Sequence, residues 1–129
     1  MKLFLLRPLI TFGVLFLIVT LAQAKALTNN EIKTLFSGKV VILKLPVLGE
    51  FPLRYDKNGI VKGDGTGTGL GRYLAPKDEG RWWISDNQLC QKWQEWYDGK
   101  TTCFAISNLD GKNFRWTRND GRKGKGRVK

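Results

Sequence analysis

Gly80–Trp116 reads GRWWISDNQLCQKWQEWYDGKTTCFAISNLDGKNFRW. This stretch holds all five tryptophans of the 129-residue chain, both cysteines and two Asp-Gly dipeptides. Asp-Gly readily takes the positive φ angles of a tight hairpin turn. A reversal at Asp98-Gly99 puts Cys90 and Cys103 on neighbouring strands, where an oxidising compartment lets them close a disulfide. Their spacing is far from the C-x-x-C of redox motifs and zinc knuckles, which disfavours the alternative of a catalytic or metal-binding thiol pair. A closed loop of that length contributes about 3 kcal/mol in the chain-entropy picture.

Ser85–Gly99 also carries a competing helical pattern. Leu89, Cys90, Trp93, Trp96 and Tyr97 fall at helical spacing, Ser85 and Gln88 imitate a capping box, and Gly99 suits a helix end. As a strand, Leu89 and Trp93 share one face while Cys90 and Trp96 share the other. Periodicity alone leaves the two readings level, and the flanking turn signals favour a strand over Gln88–Trp96.

Outward from this stretch, Arg81–Ser85 reads as a strand that Asp86-Asn87 turns back. Thr101–Ser107 and Lys112–Arg118 are strands joined at Asp110-Gly111, and Asp120-Gly121 turns the chain again. Asp-Gly turns starting at 98, 110 and 120 have the spacing of an antiparallel meander. Arg122–Lys129 is a final strand with a basic face or a frayed basic tail. Upstream, Lys77–Gly80 reads as a polar turn, and Arg72–Leu74 before Pro76 as a short strand or linker. Gly63–Gly71 (GDGTGTGLG) satisfies neither G-x-G-x-x-G nor the Walker pattern. It reads as a flexible loop or a strongly bent strand, with a glycine loop touching a ligand as the alternative. Lys39–Lys44 is a strand, and Pro46 keeps it from running on unbroken. Phe51–Tyr55 and Ile60–Lys62 flank an Asn58-Gly59 hairpin turn, with Pro52 placing the first of them at a sheet edge. Thr28 and Glu31 have capping-box spacing before Ile32, Leu35 and Phe36. They predict one short helix, ending near Ser37-Gly38, that plugs a barrel end or lies across the sheet; a lid over a ligand mouth is the alternative.

Residues 1–24 have the form of a secretory signal: Lys2 and Arg7, an apolar run over Leu9–Leu21, and an Ala22-Gln23-Ala24 cleavage site. The run is short for a membrane span. One domain over 25–129 then remains, exported to the periplasm or the medium, with no transmembrane span after cleavage. The chain carries 22 Lys and Arg against 11 Asp and Glu, a formal +11, or +9 without Lys2 and Arg7. Such an excess attracts polyanions or serves solubility alone.

The pattern Gly80-x-Trp82-x-Ile84, Leu89-Cys90, Trp93, Asp98-Gly99 and Cys103-Phe104 resembles small secreted bacterial proteins of the domain of unknown function 995 type. Gly38-Lys39-Val40, Tyr55 and Asn58-Gly59 fit the opening of that family. Trp83 and the basic C-terminal run are not features of it. The resemblance implies a β-rich fold and export, supports the Cys90–Cys103 pairing and a strand over Gln88–Trp96, and implies no activity.

The chain has no histidine. That removes histidine-activated nucleophiles and histidine-ligated metals. The eleven acids are scattered, several in turns where aspartate is expected structurally. No enzyme activity, cofactor or nucleic-acid partner is expected. Trp82 and Trp83 point to opposite faces of a strand. A surface Trp83 among Arg81, Lys92 and Arg115 makes a stacking platform or interface anchor, where core packing is the plainer reading. Arg122, Lys123, Lys125 and Arg127 are further candidate binding residues beside ordinary solvated charge. The sequence therefore predicts an all-β, small antiparallel barrel or strongly curled sheet with one short N-terminal helix. The leading functional expectation is a non-enzymatic binding protein whose basic, tryptophan-bearing surface meets an anionic glycan, a lipid or an envelope protein. A carrier of a small apolar ligand inside the barrel and a secreted hydrolase inhibitor are the alternatives.

Overall fold

The computed structural model describes residues 13–18, 25–67, 73 and 76–129. Eight antiparallel strands close into a barrel in chain order: β1 (Lys39–Leu45), β2 (Gly49–Tyr55), β3 (Ile60–Gly63), β4 (Asp78–Ser85), β5 (Gln88–Trp93), β6 (Thr102–Asp110), β7 (Asn113–Arg118) and β8 (Lys123–Val128). Closure is made by β8, which pairs with β7 on one side and with β1 on the other, Val41 opposite Val128. The expected barrel with one helix is what forms, and the basic C-terminus is a strand rather than a tail.

Side chains alternate in and out of the barrel, as strand geometry requires. The alternation explains the KGKGRVK sequence at the end of the chain. Lys123, Lys125 and Arg127 point outward, and Gly124, Gly126 and Val128 face in. Gly124 lies opposite Trp116 and Gly126 opposite Phe114. A Cβ on Gly124 would sit 2.3 Å from Cζ2 of Trp116, and one on Gly126 would sit 2.6 Å from Cζ of Phe114. These glycines leave room for the rings of the neighbouring strand.

Helix α1 (Asn29–Phe36) starts at the capping box read from the sequence, with Thr28 and Glu31 bonding each other's backbone N–H. It plugs one end of the barrel. Ile32 and Phe36 are fully buried, and the Phe36 ring meets Tyr55 at 5.3 Å and Phe114 at 5.1 Å. The backbone N–H of Asn29 donates to the Asn87 side chain, and that of Asn87 donates to the Asn29 side chain, at 2.9 and 2.7 Å. This ties the helix to the β4–β5 turn. Asp86 and Asn87 both have left-handed φ angles, 52° and 57°, as a two-residue hairpin of the I′ type requires.

Cys90 and Cys103 face each other on β5 and β6 and form a disulfide, with Cα atoms 4.1 Å apart. The helical alternative for Ser85–Gly99 is not adopted, and strand β5 wins because both its neighbours supply ladder partners.

Four expectations are corrected. Lys77–Gly80 is not a polar turn, because β4 begins at Asp78, which is buried and accepts from Glu95 N and Trp96 N at 3.0 and 2.8 Å. Pro52 does not mark a sheet edge: β2 pairs on both sides, and Pro52 lies just past the β2–β3 ladder, which runs over Leu53–Tyr55. A missing N–H at that place interrupts no bond to β3. Strand β5 stops at Trp93 rather than Trp96, and a 3-10 turn over Trp96–Gly99 succeeds it. Trp96 consequently shares the interior with Leu89 and Trp93 instead of sitting on the face of Cys90. Most of the signal-like segment 1–24, part of Gly63–Gly71, and Arg72 and Leu74 lie outside the described residues. Residues 13–18 are exposed and without regular structure. No helix among the described residues is long and apolar enough to cross a membrane.

Candidate functional site

The helix closes only one end. At the other, the β1–β2 turn, the Trp96–Gly99 turn and the β7–β8 turn border an opening into a cavity of about 440 Å³. An eight-stranded barrel is just wide enough for side chains to fill or for one small ligand to occupy, and this volume lies in the range of small-molecule sites. Phe36 forms part of the lining, which is otherwise mostly Leu, Phe and Trp, with Tyr55, Gln91, Glu95, Tyr97 and Arg118 as its polar members.

Tryptophan dominates the open half. Trp93 is buried on the inner face of β5 and its ring lies 4.4 Å from that of Trp96. Trp96 reaches back over β3: a Cβ on Gly63 would lie 2.4 Å from its Cη2. The buried Asp78 carboxylate, gripping the Glu95 and Trp96 N–H groups, fixes that position. Trp116 stands edge-on to Phe104 at 5.5 Å. The indole N–H groups of Trp93, Trp96 and Trp116 are buried and have no hydrogen-bond partner. Buried donors are paired in the great majority of cases, and each unpaired one costs about 1–3 kcal/mol. All three residues belong to the lining, but each indole nitrogen is itself covered and none is presented to the open volume.

Deeper in, the Tyr55 hydroxyl donates to Gln91 Oε1 at 2.8 Å. Burial pushes the Tyr55 phenol well above its usual range, with nearby Tyr97 adding to the effect. At the opening, the Arg118 side chain is 11% exposed and holds Asp120 through Nε, at 2.9 Å, and through its terminal nitrogen. Its guanidinium lies 5.4 Å from the Tyr97 ring centroid. The Arg118 hydrogen bond, helped by the Arg122 backbone N–H, holds the Asp120 carboxyl down at about 2. Tyr97 itself is half-exposed and takes a left-handed φ of 56°, uncommon for so bulky a residue and typical of strained positions at ligand clamps.

The residues proposed from sequence fall into two separate places on the outside. Trp83, 39% exposed, lies opposite Cys90, with Arg81 opposite Lys92 beside it on β4 and β5. Arg115 is not part of that group: it sits on β7, at the helix side of the barrel relative to the disulfide. There it opposes Lys125 of β8, which in turn opposes Lys44 of β1. Arg127 is engaged by Glu50 at 2.7 and 3.3 Å, which lowers the Glu50 carboxyl below its usual value. Lys123 is exposed on β8 and Arg122 in the preceding turn. Asp78, Gln91, Trp96, Tyr97 and Arg118 escaped sequence reasoning as site residues. The one signal for them was Trp93 and Trp96 falling close together on opposite faces of a nominal strand.

Among the described residues, no group of three or more Cys, Asp or Glu side chains converges as a metal site. What fold and site define is a small closed β-barrel with a tryptophan-lined interior that opens at one end. Comparison with protein-family models, with curated proteins and with solved structures found no match to this chain.

Proposed function

We propose that this is an exported, non-enzymatic binding protein whose barrel interior takes a small apolar ligand. The observation that carries this reading is the 440 Å³ cavity, open at one end and lined mostly by apolar side chains. Export fits the Cys90–Cys103 disulfide and the signal-like residues 1–24. The resemblance to the domain of unknown function 995 type belongs to the same proposal and adds no activity. The test is to isolate the mature protein from the exported fraction of its own host and analyse its organic extract by mass spectrometry. A compound recovered in stoichiometric amount supports the reading. An empty extract, with no change in tryptophan emission on adding apolar compounds, rejects it.

A second reading is favoured by one specific observation. Arg115, Lys125 and Lys44 stand directly opposite one another on three adjacent strands. Like charges in such positions destabilise a sheet, so the row suits an anionic envelope component or envelope protein. Retention from an envelope extract that disappears at high salt supports this surface reading, and retention insensitive to salt counts against it.

A further inference from the structure

The β1–β2 turn departs from the rule that hairpin tips are polar. Pro46, Val47 and Leu48 join the two strands, with Leu45 paired to Gly49 and the left-handed φ of Gly49, 71°, closing the loop. Val47 is 71% exposed, the one Val, Leu or Ile side chain among described residues 25–129 to stand so far into solvent. Its neighbours Leu45 and Leu48 line the cavity. The apolar tip therefore runs on into the apolar interior.

Cations stand beside that tip. Lys125 lies opposite Lys44 across the β8–β1 ladder, and Lys123 is further toward the open end of β8. All three are exposed, and none has an ion-pair partner among the described residues. The acids of this side are already held, Glu50 by Arg127 and Asp120 by Arg118. The exposed Glu95 and Asp98 belong to the β5–β6 connection, which the strand order puts across the mouth from β1. An exposed aliphatic tip flanked by unpaired cations fits a surface that is negative on top and apolar beneath.

We propose that the open end of the barrel docks on an anionic lipid bilayer, with Val47 entering the acyl boundary while Lys44, Lys123 and Lys125 meet the headgroups. This rests on the basic-surface reading and names its partner. The docked mouth also gives an apolar ligand a path between bilayer and cavity past Leu45 and Leu48. One valine with three lysines makes a reversible contact rather than an anchor.

The test is sedimentation of the mature, disulfide-bonded protein with vesicles of phosphatidylcholine alone, or of phosphatidylcholine and phosphatidylglycerol in equal parts. Binding is expected to the mixed vesicles only, and to weaken as salt rises. Each lysine near an anionic surface contributes about fivefold, so Lys123→Gln with Lys125→Gln should weaken binding roughly 25-fold. Val47→Asp should weaken it about tenfold or more. Arg81→Gln with Lys92→Gln makes the same charge change on the opposite wall and should lose far less. Equal losses from the two charge pairs, a Val47→Asp variant that binds like the wild type, or indifference to lipid charge would overturn docking by the mouth. No binding to either vesicle, with salt-sensitive retention from the envelope extract preserved, rejects the bilayer in favour of an envelope protein or glycan and leaves the basic-surface reading standing. Loss of both overturns that reading as well.

Discussion

At the helix-closed end of the barrel the indole of Trp82 donates to the Asp56 carbonyl at 2.8 Å, whereas at the open end those of Trp93, Trp96 and Trp116 donate to nothing in the chain. The closed end is also where the capping box, the paired Asn29 and Asn87 bonds and the Phe36–Tyr55–Phe114 ring cluster gather. One side-chain type thus meets two fates in one barrel. Where groups are satisfied and packed, the structure serves stability. The open half instead keeps a cavity of about 440 Å³, the volume on which the proposed interior binding rests.

If that division is right, the largest effect on stability comes from the closed end. Phe36→Ala removes a ring that is 1% exposed and should cost about 3–5 kcal/mol. Urea unfolding would show this as a lower midpoint with an unchanged slope. A loss near zero would mean that the helix is not an integral plug. Next is the disulfide that staples β5 to β6: the Cys90→Ser, Cys103→Ser double variant should lose about 3 kcal/mol, read as a fall in thermal midpoint.

The sharpest comparison sets two tryptophans side by side. Trp82→Phe removes one of the two hydrogen bonds that the Asp56 carbonyl accepts, the other coming from Gly59 N–H at 3.1 Å, and should cost about 0.5–1.5 kcal/mol. Trp116→Phe deletes an unpartnered donor while keeping a ring, and should change stability by less than about 1 kcal/mol. Equal losses in chemical denaturation would erase the distinction between the ends. The smallest effect expected is that of Asp120. Its carboxyl is held at about 2 in the folded protein, against about 3.9 in an unfolded chain. A lowered value in the fold contributes stability that is fully present above the unfolded value and is lost as pH falls through the folded one. The advantage of the wild type over Asp120→Asn should therefore be constant at mild pH and vanish between about pH 4 and pH 2. Because Asp120 is solvent-exposed, the difference should be slight.

Much of the frame was legible in the sequence. The Asp-Gly dipeptides at 98, 110 and 120 marked reversals that the chain makes, and Gly99, Gly111 and Gly121 all have positive φ. The Thr28–Glu31 capping box placed α1, and the Cys90–Cys103 pair was readable from the turn between them. Where the reading failed, a distant partner decided the outcome. Asp78 looked like a turn residue because aspartate favours turns, yet two backbone N–H groups near Trp96 draw it into a buried strand position. Pro52 looked like an edge residue because local rules cannot know where the neighbouring ladder ends.

The site was less legible than the fold. Arg118 stood in the sequence as one basic residue among many, and only the β7–β8 turn brings Asp120 to it and aims it at the opening. Trp83, Arg81 and Lys92 lie on the outside, the alternative that the sequence set beside core packing, and grouping them with Arg115 required knowing which strands are neighbours, because β6 lies between.

By itself the sequence determined the period-2 alternation, the turns, the helix start and the charge excess, because each depends on residues within a few positions of one another. It also placed Gly124 and Gly126 between outward-pointing basic residues. Tertiary structure alone decided that these glycines receive the rings of Trp116 and Phe114, that β8 meets β1, and that the barrel closes around space instead of filling it. The physical reason is that an interior volume is the difference between the circumference eight strands impose and the side chains that point inward, and no local stretch of chain contains that difference.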